Sequence, residues 1–196
     1  MFRWLALVTL VATLGISTYY RRRARQEGET IPRLSERPLL VLARVVLTLP
    51  LFGGILTYLV NPTLLEWASF TAPLWSRWVG VVLGLMTVPA AYWVFSSIGR
   101  NISETVLTKE DHELVSHGPY RWIRHPLYTT SLVLIAAIGL MAANWFILLF
   151  GFIALIGIQL AVIPTEERAL LDAFGVEYRD YMQGTGSLFP RVLGRR

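Results

Sequence analysis

Two histidines, two arginines, two tyrosines and two prolines lie within twelve residues of this chain, in the segment HGPYRWIRHPLY at positions 117–128. Imidazole and guanidinium groups bind anions, move protons or orient charged substrates. Pro126 has no backbone N–H to lose in the first turn of a helix, and it disfavours helical geometry at the preceding residue. We therefore expect His125 and Arg124 to lie in a turn at a helix amino terminus, where unpaired N–H groups attract an anion such as a carboxylate.

A simpler interpretation is that Arg121, Arg124 and His125 anchor a helix at the lipid headgroups, as basic and aromatic residues often do. For an isolated Arg-His-Pro sequence, anchoring is the better explanation. Here Gly118, followed by a proline, indicates a second turn that allows close backbone approach to a ligand. The strip DHELV at 111–115, which changes from polar to apolar, precedes this turn. These features favour a binding site over a lipid anchor.

An acidic pair follows about forty residues later, in the segment IPTEERALLDAFGVEYRDY at 163–181. The pattern predicts a helix capped by Thr165, with Glu166 and Glu167 in its first turn and Gly175 at its end. An ordinary capped surface helix would also explain the two glutamates. Because the pair directly follows an apolar stretch, we expect it to face the 117–128 segment, where one acid could bind ribose hydroxyls or an amino group.

The composition is that of a membrane protein, because 54% of the 196 residues are hydrophobic, only 16% are charged and the mean hydropathy is +0.51. The chain has no cysteine, which excludes disulfides, thiolate zinc sites and cysteine nucleophiles. Only three histidines are present, and we predict no metal site. The net charge of +5 does not indicate nucleic-acid binding, because the basic residues lie between apolar segments.

Five apolar helical crossings are predicted in one all-α membrane domain that spans residues 1–196. Three fall within 1–98 and two within the proposed catalytic half, 99–196. The predicted crossings are residues 2–20, 39–60, 78–98, 127–141 and 145–163. The last two form a helical hairpin, since the apolar stretch from which they come is too long for one crossing. A signal peptide is the alternative for the first, but the RRRAR run that follows resembles a stop-transfer flank, and we expect the helix to be retained.

Positive charge predicts the orientation of these crossings in the membrane. All but Arg3, Arg44 and Arg77 of the 18 lysine and arginine residues fall on one predicted side. We therefore expect the loops and the carboxy terminus on that side to be cytoplasmic and the amino terminus to lie outside. The hairpin leaves and returns to the same side, so it brings the 117–128 segment and the acidic pair together. The basic and aromatic stretch 178–196 is expected to contact membrane lipids.

The carboxy-terminal half resembles the isoprenylcysteine carboxyl methyltransferase family, within a wider group of integral-membrane methyltransferases that includes phospholipid N-methyltransferases. The matching pieces are H-x-L-V-x-x-G-x-Y-x-x-x-R-H-P-x-Y at 112–128, E-E at 166–167 and F-G-x-x-Y-x-x-Y at 174–181. Each piece alone is a weak signal, but their order and spacing around a hairpin are specific. The first two predicted crossings match only in hydrophobicity.

This resemblance implies that S-adenosyl-L-methionine is bound without a Rossmann sheet, in a cytoplasmic pocket between the loop before the fourth helix and the helix after the fifth. It also implies a lipophilic or lipid-modified methyl acceptor, and it makes Arg121 and Arg124 candidates for orienting that acceptor. The positions implied to contact the cofactor are His112, Glu113, Leu114, Val115, Gly118, Tyr120, His125, Pro126, Leu127, Tyr128 and one of Glu166 or Glu167.

The chain departs from the family at two positions. Members that methylate prenylcysteine carry an arginine shortly before the glutamate pair, whereas residues 159–164 of this chain, QLAVIP, contain no basic residue. The small glycine two residues after the tyrosine of R-H-P-x-Y is Thr130 here. The acceptor therefore stays open between a prenylcysteine-like carboxylate, another lipid headgroup, a hydrophobic thiol and a small carboxylate. A non-catalytic scaffold or lipid-binding protein of the same fold is the alternative from another class. A transporter is less favoured, because the spans carry almost no ionisable residue near the midplane.

Overall fold

The computed structural model describes residues 1–27, 38–99 and 114–191 of the chain. The predicted cofactor residues His112 and Glu113 lie outside these ranges. Seven α-helices are described, and within these ranges strand pairing is limited to two isolated bridges. The helices are α1 (Phe2–Glu27), α2 (Pro38–Val60), α3 (Leu74–Ile98), α4 (Pro126–Ala142), α5 (Trp145–Gly157), α6 (Ile163–Phe174) and α7 (Val176–Gly184). The predicted all-α class is confirmed for this part of the chain.

Three of the described helices are long and apolar enough to cross a membrane: α1, α3 and the continuous helix Trp145–Phe174, which contains α5 and α6. Two shorter apolar helices are Thr48–Val60, within α2, and α4. A bilayer core of about 30 Å needs about 20 helical residues. The protein is therefore an integral membrane protein, and the count of five crossings stays a prediction.

The hairpin between α4 and α5 turns where the sequence predicts it, at Ala143 and Asn144. Ala143 adopts a left-handed conformation with φ 51° and ends α4. The side chain of Asn144 caps α5 by accepting a hydrogen bond from the backbone N–H of Ile147 at 3.2 Å. Its amide nitrogen also donates to the carbonyl of Leu65 at 3.1 Å. This turn is thus held both by its own cap and by the short 3₁₀ helix Pro62–Ala68, which follows α2 and contains Leu65.

Close packing of α3 against α4 forms the centre of the bundle. Gly80 faces the backbone of α4 so closely that an added Cβ would lie 2.8 Å from the carbonyl oxygen of Ala137. One turn later, Gly84 faces Met141 and Thr9, so α1 also packs here. Small residues at such positions allow helix backbones to approach each other, which gives close van der Waals packing within a membrane.

The two ends of the bundle are fastened differently. At one end, Arg77 at the start of α3 donates two hydrogen bonds to the carbonyl of Met141, at 2.9 and 2.7 Å, and its guanidinium lies 4.2 Å from the ring centre of Phe2. At the other end, an apolar cluster includes Ala24 of α1 and Phe95 of α3, and Leu127 of α4 packs against it. The end of α3 and the start of α4 therefore meet at the end of the bundle opposite the amino terminus.

The prediction of a separate helix capped by Thr165 is wrong. A π-helical turn, Ile158–Val162, joins α5 to α6, so the apolar helix continues into the acidic segment. The hydroxyl of Thr165 donates to the carbonyl of Ala161 at 2.8 Å, as an interior helical residue does. The widened turn ends at Val162, two residues before Pro164. Pro164 has no backbone N–H, so a regular α-helix would lack one hydrogen bond there. Glu166 and Glu167 are consequently positioned by the hairpin itself.

The packing of α3 on α4 leads to a first prediction. Gly80→Ala must push the α4 backbone away, because the new methyl group meets main-chain atoms rather than a flexible side chain. We expect a loss of about 1–3 kcal/mol in the free energy of unfolding, the usual cost of overpacking. The measurement is thermal unfolding of the full chain in detergent. Gly53→Ala in α2 is the matched control, because a Cβ added there would meet nothing within 4 Å. Equal unfolding temperatures for the two variants would contradict the prediction.

Candidate active site

The loop before α4 is fixed against the end of α3. Gly118 has φ 60°, a conformation that favours glycine, and it begins a short 3₁₀ turn that ends at Arg121. An added Cβ at Gly118 would collide with the side chain of Ser97. Trp122 then packs edge-to-face on Trp93, with ring centres 5.7 Å apart. Gly118 therefore packs closely on α3, and its predicted approach to a ligand stays a prediction.

The same loop is paired on its other side with residues 185–188, which we call the C-terminal segment. The backbone N–H groups of Arg124 and His125 donate to the carbonyls of Gly186 and Ser187, at 2.8 and 3.1 Å. Gly186 returns a hydrogen bond from its N–H to the carbonyl of Trp122 at 3.1 Å. The hydroxyl of Thr129 donates to the carbonyl of Leu188 at 2.6 Å. The C-terminal segment thus holds the backbone of the Arg-His-Pro turn.

At the centre of the site, the imidazole of His125 lies between two carboxylates. Its Nδ1 is 3.3 Å from Oε2 of Glu166, and its Nε2 is 3.2 Å from Oε1 of Glu167. Tyr128, one turn into α4, donates its hydroxyl to Glu166. Arg124 donates from Nε to Oε1 of Glu167 at 2.8 Å. The turn before α4 and the start of α6 are therefore joined, as the sequence predicts, by a network that we call the His125 cluster.

Arg124 links this cluster to the C-terminal segment. Besides Glu167, its guanidinium donates from Nη1 to the carbonyls of Thr185 at 2.5 Å and Met182 at 3.3 Å. Arg121, the other residue predicted to orient the acceptor, is exposed, and its guanidinium lies 5.9 Å from the ring centre of Trp122. The two arginines thus have different surroundings, and their substrate roles stay predictions.

Burial and charge have opposite effects on the pKa of His125, whose side chain is only 6% exposed. Burial lowers the pKa, because desolvation disfavours the charged imidazolium. The hydrogen bonds to Glu166 and Glu167, together with their negative charges, outweigh burial, so the pKa is raised above its ordinary value of 6.5. The structure therefore favours an imidazolium ion paired with both carboxylates.

Three tyrosines lie on the elements next to the His125 cluster: Tyr120, which is buried, and on α7 the buried Tyr178 and the half-buried Tyr181. Tyr181 donates its hydroxyl to the carbonyl of Tyr120 at 2.6 Å, and burial raises the pKa of Tyr181 to about 12. Burial likewise raises the pKa of Tyr120 and of Tyr178. All three phenols are therefore neutral near pH 7 and can donate hydrogen bonds. Sequence reasoning matched both tyrosines of α7 to a family motif without assigning them a role, although their spacing of three places them on one helix face.

The remaining predicted cofactor residues have separate positions around this site. Pro126 is buried at the start of α4. Leu127 packs on the apolar cluster of α1 and α3, so part of its surface is used by the core. Leu114 and Val115 are half-buried just before the 3₁₀ turn. These placements leave the contacts implied by the family as predictions.

The hydrogen-bonding groups of this site fit a cofactor that carries an ammonium group and ribose hydroxyls. A carboxylate has about four acceptor positions. The described contacts give Glu166 and Glu167 two partners each. Capacity therefore remains for ribose hydroxyls or an ammonium group. Two buried hydroxyls, those of Tyr178 and Ser187, have no hydrogen-bond partner in the described part of the chain. No group of three or more His, Asp and Glu side chains suited to a metal is found among the described residues.

Comparison with known proteins identifies a related family and a related fold. Residues 79–172 match the model of the isoprenylcysteine carboxyl methyltransferase (ICMT) family. The chain is 32% identical over 120 residues to the cobalt-zinc-cadmium resistance protein CzcN of Cupriavidus metallidurans, a match that covers 60% of this chain and 55% of that protein. It is also 40% identical over 75 residues to methanethiol S-methyltransferase of Mycobacterium tuberculosis, covering 38% of this chain and 30% of that protein.

The fold has a solved counterpart in the eukaryotic intramembrane Ras methyltransferase ICMT. The two structures superpose with a TM-score of 0.53 at 24% sequence identity, over 83% of this chain and 56% of that chain. The chain thus spans little more than half the length of CzcN and of this ICMT. At this identity the likeness shows a shared fold. The family resemblance that the sequence indicates is confirmed by the family match.

The raised pKa of His125 predicts how stability depends on pH. The stabilisation from its ion pairs is fully present below the pKa of the unfolded chain, about 6.5, and is lost as pH rises through the higher pKa of the folded protein. The unfolding temperature of the full chain in detergent should therefore fall as pH rises above about 6.5. His125→Gln should remove most of this slope. An unchanged slope in the variant would contradict the assignment to His125.

The hydrogen bonds of Arg124 predict a local effect in the C-terminal segment. Arg124→Lys keeps the charge but cannot bond Glu167 and two carbonyls at once, because lysine lacks the planar fork. We expect the amide of Gly186 to exchange its hydrogen at least tenfold faster, since losing a hydrogen bond to a charged group costs about 1.5–3 kcal/mol. Hydrogen exchange read by mass spectrometry tests this. Arg121→Lys is the control, and an equal acceleration there would contradict the prediction.

Proposed function

We propose that this chain, whose residues 79–172 belong to the ICMT family, transfers a methyl group from S-adenosyl-L-methionine to a lipophilic acceptor at the membrane. The observation that carries the proposal is the His125 cluster, in which the Arg-His-Pro turn meets the glutamate pair at one end of an apolar bundle. The family match supports the same activity. We further propose that this end of the bundle faces the cytoplasm, because most of the arginines in the described part of the chain lie there.

In this proposal, the cofactor supplies an electrophilic methyl group on a sulfonium, and the chain binds and orients it. Glu166 and Glu167 accept hydrogen bonds from ribose hydroxyls or the ammonium group. Tyr120 and the half-buried Leu114 and Val115 line the nucleoside, together with His112 and Glu113. His125, between the two carboxylates, holds them in position.

Such a transfer needs no general base when the acceptor is already an anion. A carboxylate or thiolate can attack the methyl group in line, so catalysis can rest on proximity, orientation and exclusion of water. Burial of Tyr120, His125 and Pro126 supports water exclusion at this site. Arg121 and Arg124 stay the candidates for orienting the acceptor, with Arg121 the more exposed of the two.

Two acceptor classes are supported by different observations. The family name points to the carboxylate of a prenylcysteine-like substrate. A hydrophobic thiol is favoured by two features: the 40% identity to methanethiol S-methyltransferase, and the absence of any lysine or arginine between Arg124 and Arg168. An acceptor that approaches from the bilayer along α4 or α5 therefore meets no cation from these helices that would attract a carboxylate. A phospholipid headgroup is the third acceptor class that this fold could serve.

Transfer of labelled methyl groups tests the function. The purified chain in lipid nanodiscs is incubated with S-adenosylmethionine labelled at the methyl group and with either farnesylcysteine or dodecanethiol. We expect product from at least one acceptor and a rate about 10- to 100-fold lower for Glu166→Gln, which loses a charged partner of Tyr128 and His125. Glu177→Gln, an exposed carboxylate on α7, is the control and should keep the full rate.

The same experiment distinguishes the alternatives. Preference for dodecanethiol over farnesylcysteine would identify a thiol methyltransferase, and label in extracted phospholipid would identify a headgroup methyltransferase. If calorimetry detects no cofactor binding at about millimolar concentration, the weak end of biological affinities, and no label is transferred, the chain is a non-catalytic membrane protein and the proposal fails.

A further inference from the structure

Two hydroxyl groups beside the His125 cluster have no assigned role. The hydroxyls of Tyr178 and Ser187 are buried and lack a hydrogen-bond partner in the described part of the chain. The side chain of Tyr178 is among the largest that are fully buried, with only 1% of the residue exposed. Buried polar groups in folded proteins are almost always hydrogen-bonded, because leaving one unpaired costs stability. These two hydroxyls are therefore available to form hydrogen bonds with a bound ligand.

Both hydroxyls belong to the elements that hold the site together. Tyr178 lies on α7 one turn before Tyr181, with ring centres 5.8 Å apart. Arg124 of the His125 cluster donates to the carbonyl of Met182, one turn further along α7, so Tyr178 lies on the helix that contacts the cluster. Ser187 lies in the C-terminal segment, where its carbonyl accepts from the N–H of His125 at 3.1 Å. The two donors thus adjoin the proposed cofactor site.

The other polar groups of this region are already engaged. Arg124 and His125 are paired with the two glutamates, and Tyr128 donates to Glu166. Tyr181 donates to the carbonyl of Tyr120. The positive charges are therefore neutralised within the protein, and an anionic ligand group would find its best free donors in neutral hydroxyls.

We propose that the hydroxyl of Tyr178, assisted by that of Ser187, donates a hydrogen bond to the carboxylate of the cofactor's amino-acid group. This inference rests on the proposed function and adds two cofactor-binding residues to it. The free positions of Glu166 and Glu167 accept hydrogen bonds, which ribose hydroxyls and an ammonium group can donate and a carboxylate cannot. The carboxylate would thus lie at α7 and the C-terminal segment, and the donor groups of the cofactor at the glutamates.

The test compares two ligands that differ in the amino-acid group. S-adenosylhomocysteine carries this group, and 5′-methylthioadenosine has the same nucleoside and a thioether but neither the carboxylate nor the ammonium group. Calorimetry on the full chain in detergent measures both dissociation constants for the wild type and Tyr178→Phe. We expect Tyr178→Phe to weaken S-adenosylhomocysteine about tenfold or more, the effect of one hydrogen bond to a charged group, and to leave 5′-methylthioadenosine unchanged. Ser187→Ala should act in the same direction.

Thermal unfolding without ligand separates this role from a structural one. Because the Tyr178 hydroxyl makes no described hydrogen bond, Tyr178→Phe should unfold at the wild-type temperature or above it. Tyr181→Phe is the matched control. It loses a hydrogen bond to the carbonyl of Tyr120, so it should unfold at a lower temperature and weaken both ligands to the same extent.

Four results would overturn the inference. A clear fall in the unfolding temperature of ligand-free Tyr178→Phe would mean that the hydroxyl has a protein partner. Unchanged affinity for S-adenosylhomocysteine, or equal weakening of both ligands, would mean that it does not contact the carboxylate. In these three cases the proposed function stands, provided that the wild type binds the nucleosides. A wild type that binds neither nucleoside would overturn the proposed function together with this inference.

Discussion

The site depends on one interaction, the placement of the His125 imidazole between the carboxylates of Glu166 and Glu167. Charged groups this deeply buried are tolerated only when they are paired and hydrogen-bonded, because each loses its hydration. Arg124 completes the balance, since two cations face two anions when His125 is protonated. The pairing therefore constrains three parts of the chain at once: the turn before α4, the start of α6 and, through Arg124, the C-terminal segment.

This constraint can be met because the apolar helices bring the partners to the same end of the bundle. The hairpin turn at Ala143 and Asn144 returns the chain to the side from which α4 started. The π turn then carries the helix past Pro164 without a break, so the glutamates extend from a helix that is already packed. At the opposite end, Arg77 fastens α3 to α4 and contacts α1. The bundle is closely packed where it is apolar, and its polar site lies at one end.

Much of this arrangement was predictable from local rules. Pro126 begins α4 and His125 stays outside the helix, because proline restricts its own backbone and the residue before it. The hairpin follows from an apolar stretch too long for one crossing. The predicted cap at Thr165 is wrong because the local pattern does not show that the helix of α5 continues through this residue. Its hydroxyl could cap a free helix start, but it bonds the preceding turn when the helix is continuous.

The sequence by itself determined the membrane class, the apolar helices and the meeting of the Arg-His-Pro turn with the acidic pair, since these depend on hydropathy, proline geometry and charge. Only the tertiary structure decided what Arg124 binds and how residues 185–188 pair with the loop. Those contacts are made largely to main-chain groups, such as the carbonyls of Met182 and Thr185. Every residue carries a carbonyl, so no side-chain pattern marks the ones that will be used, and only the folded path of the backbone selects them.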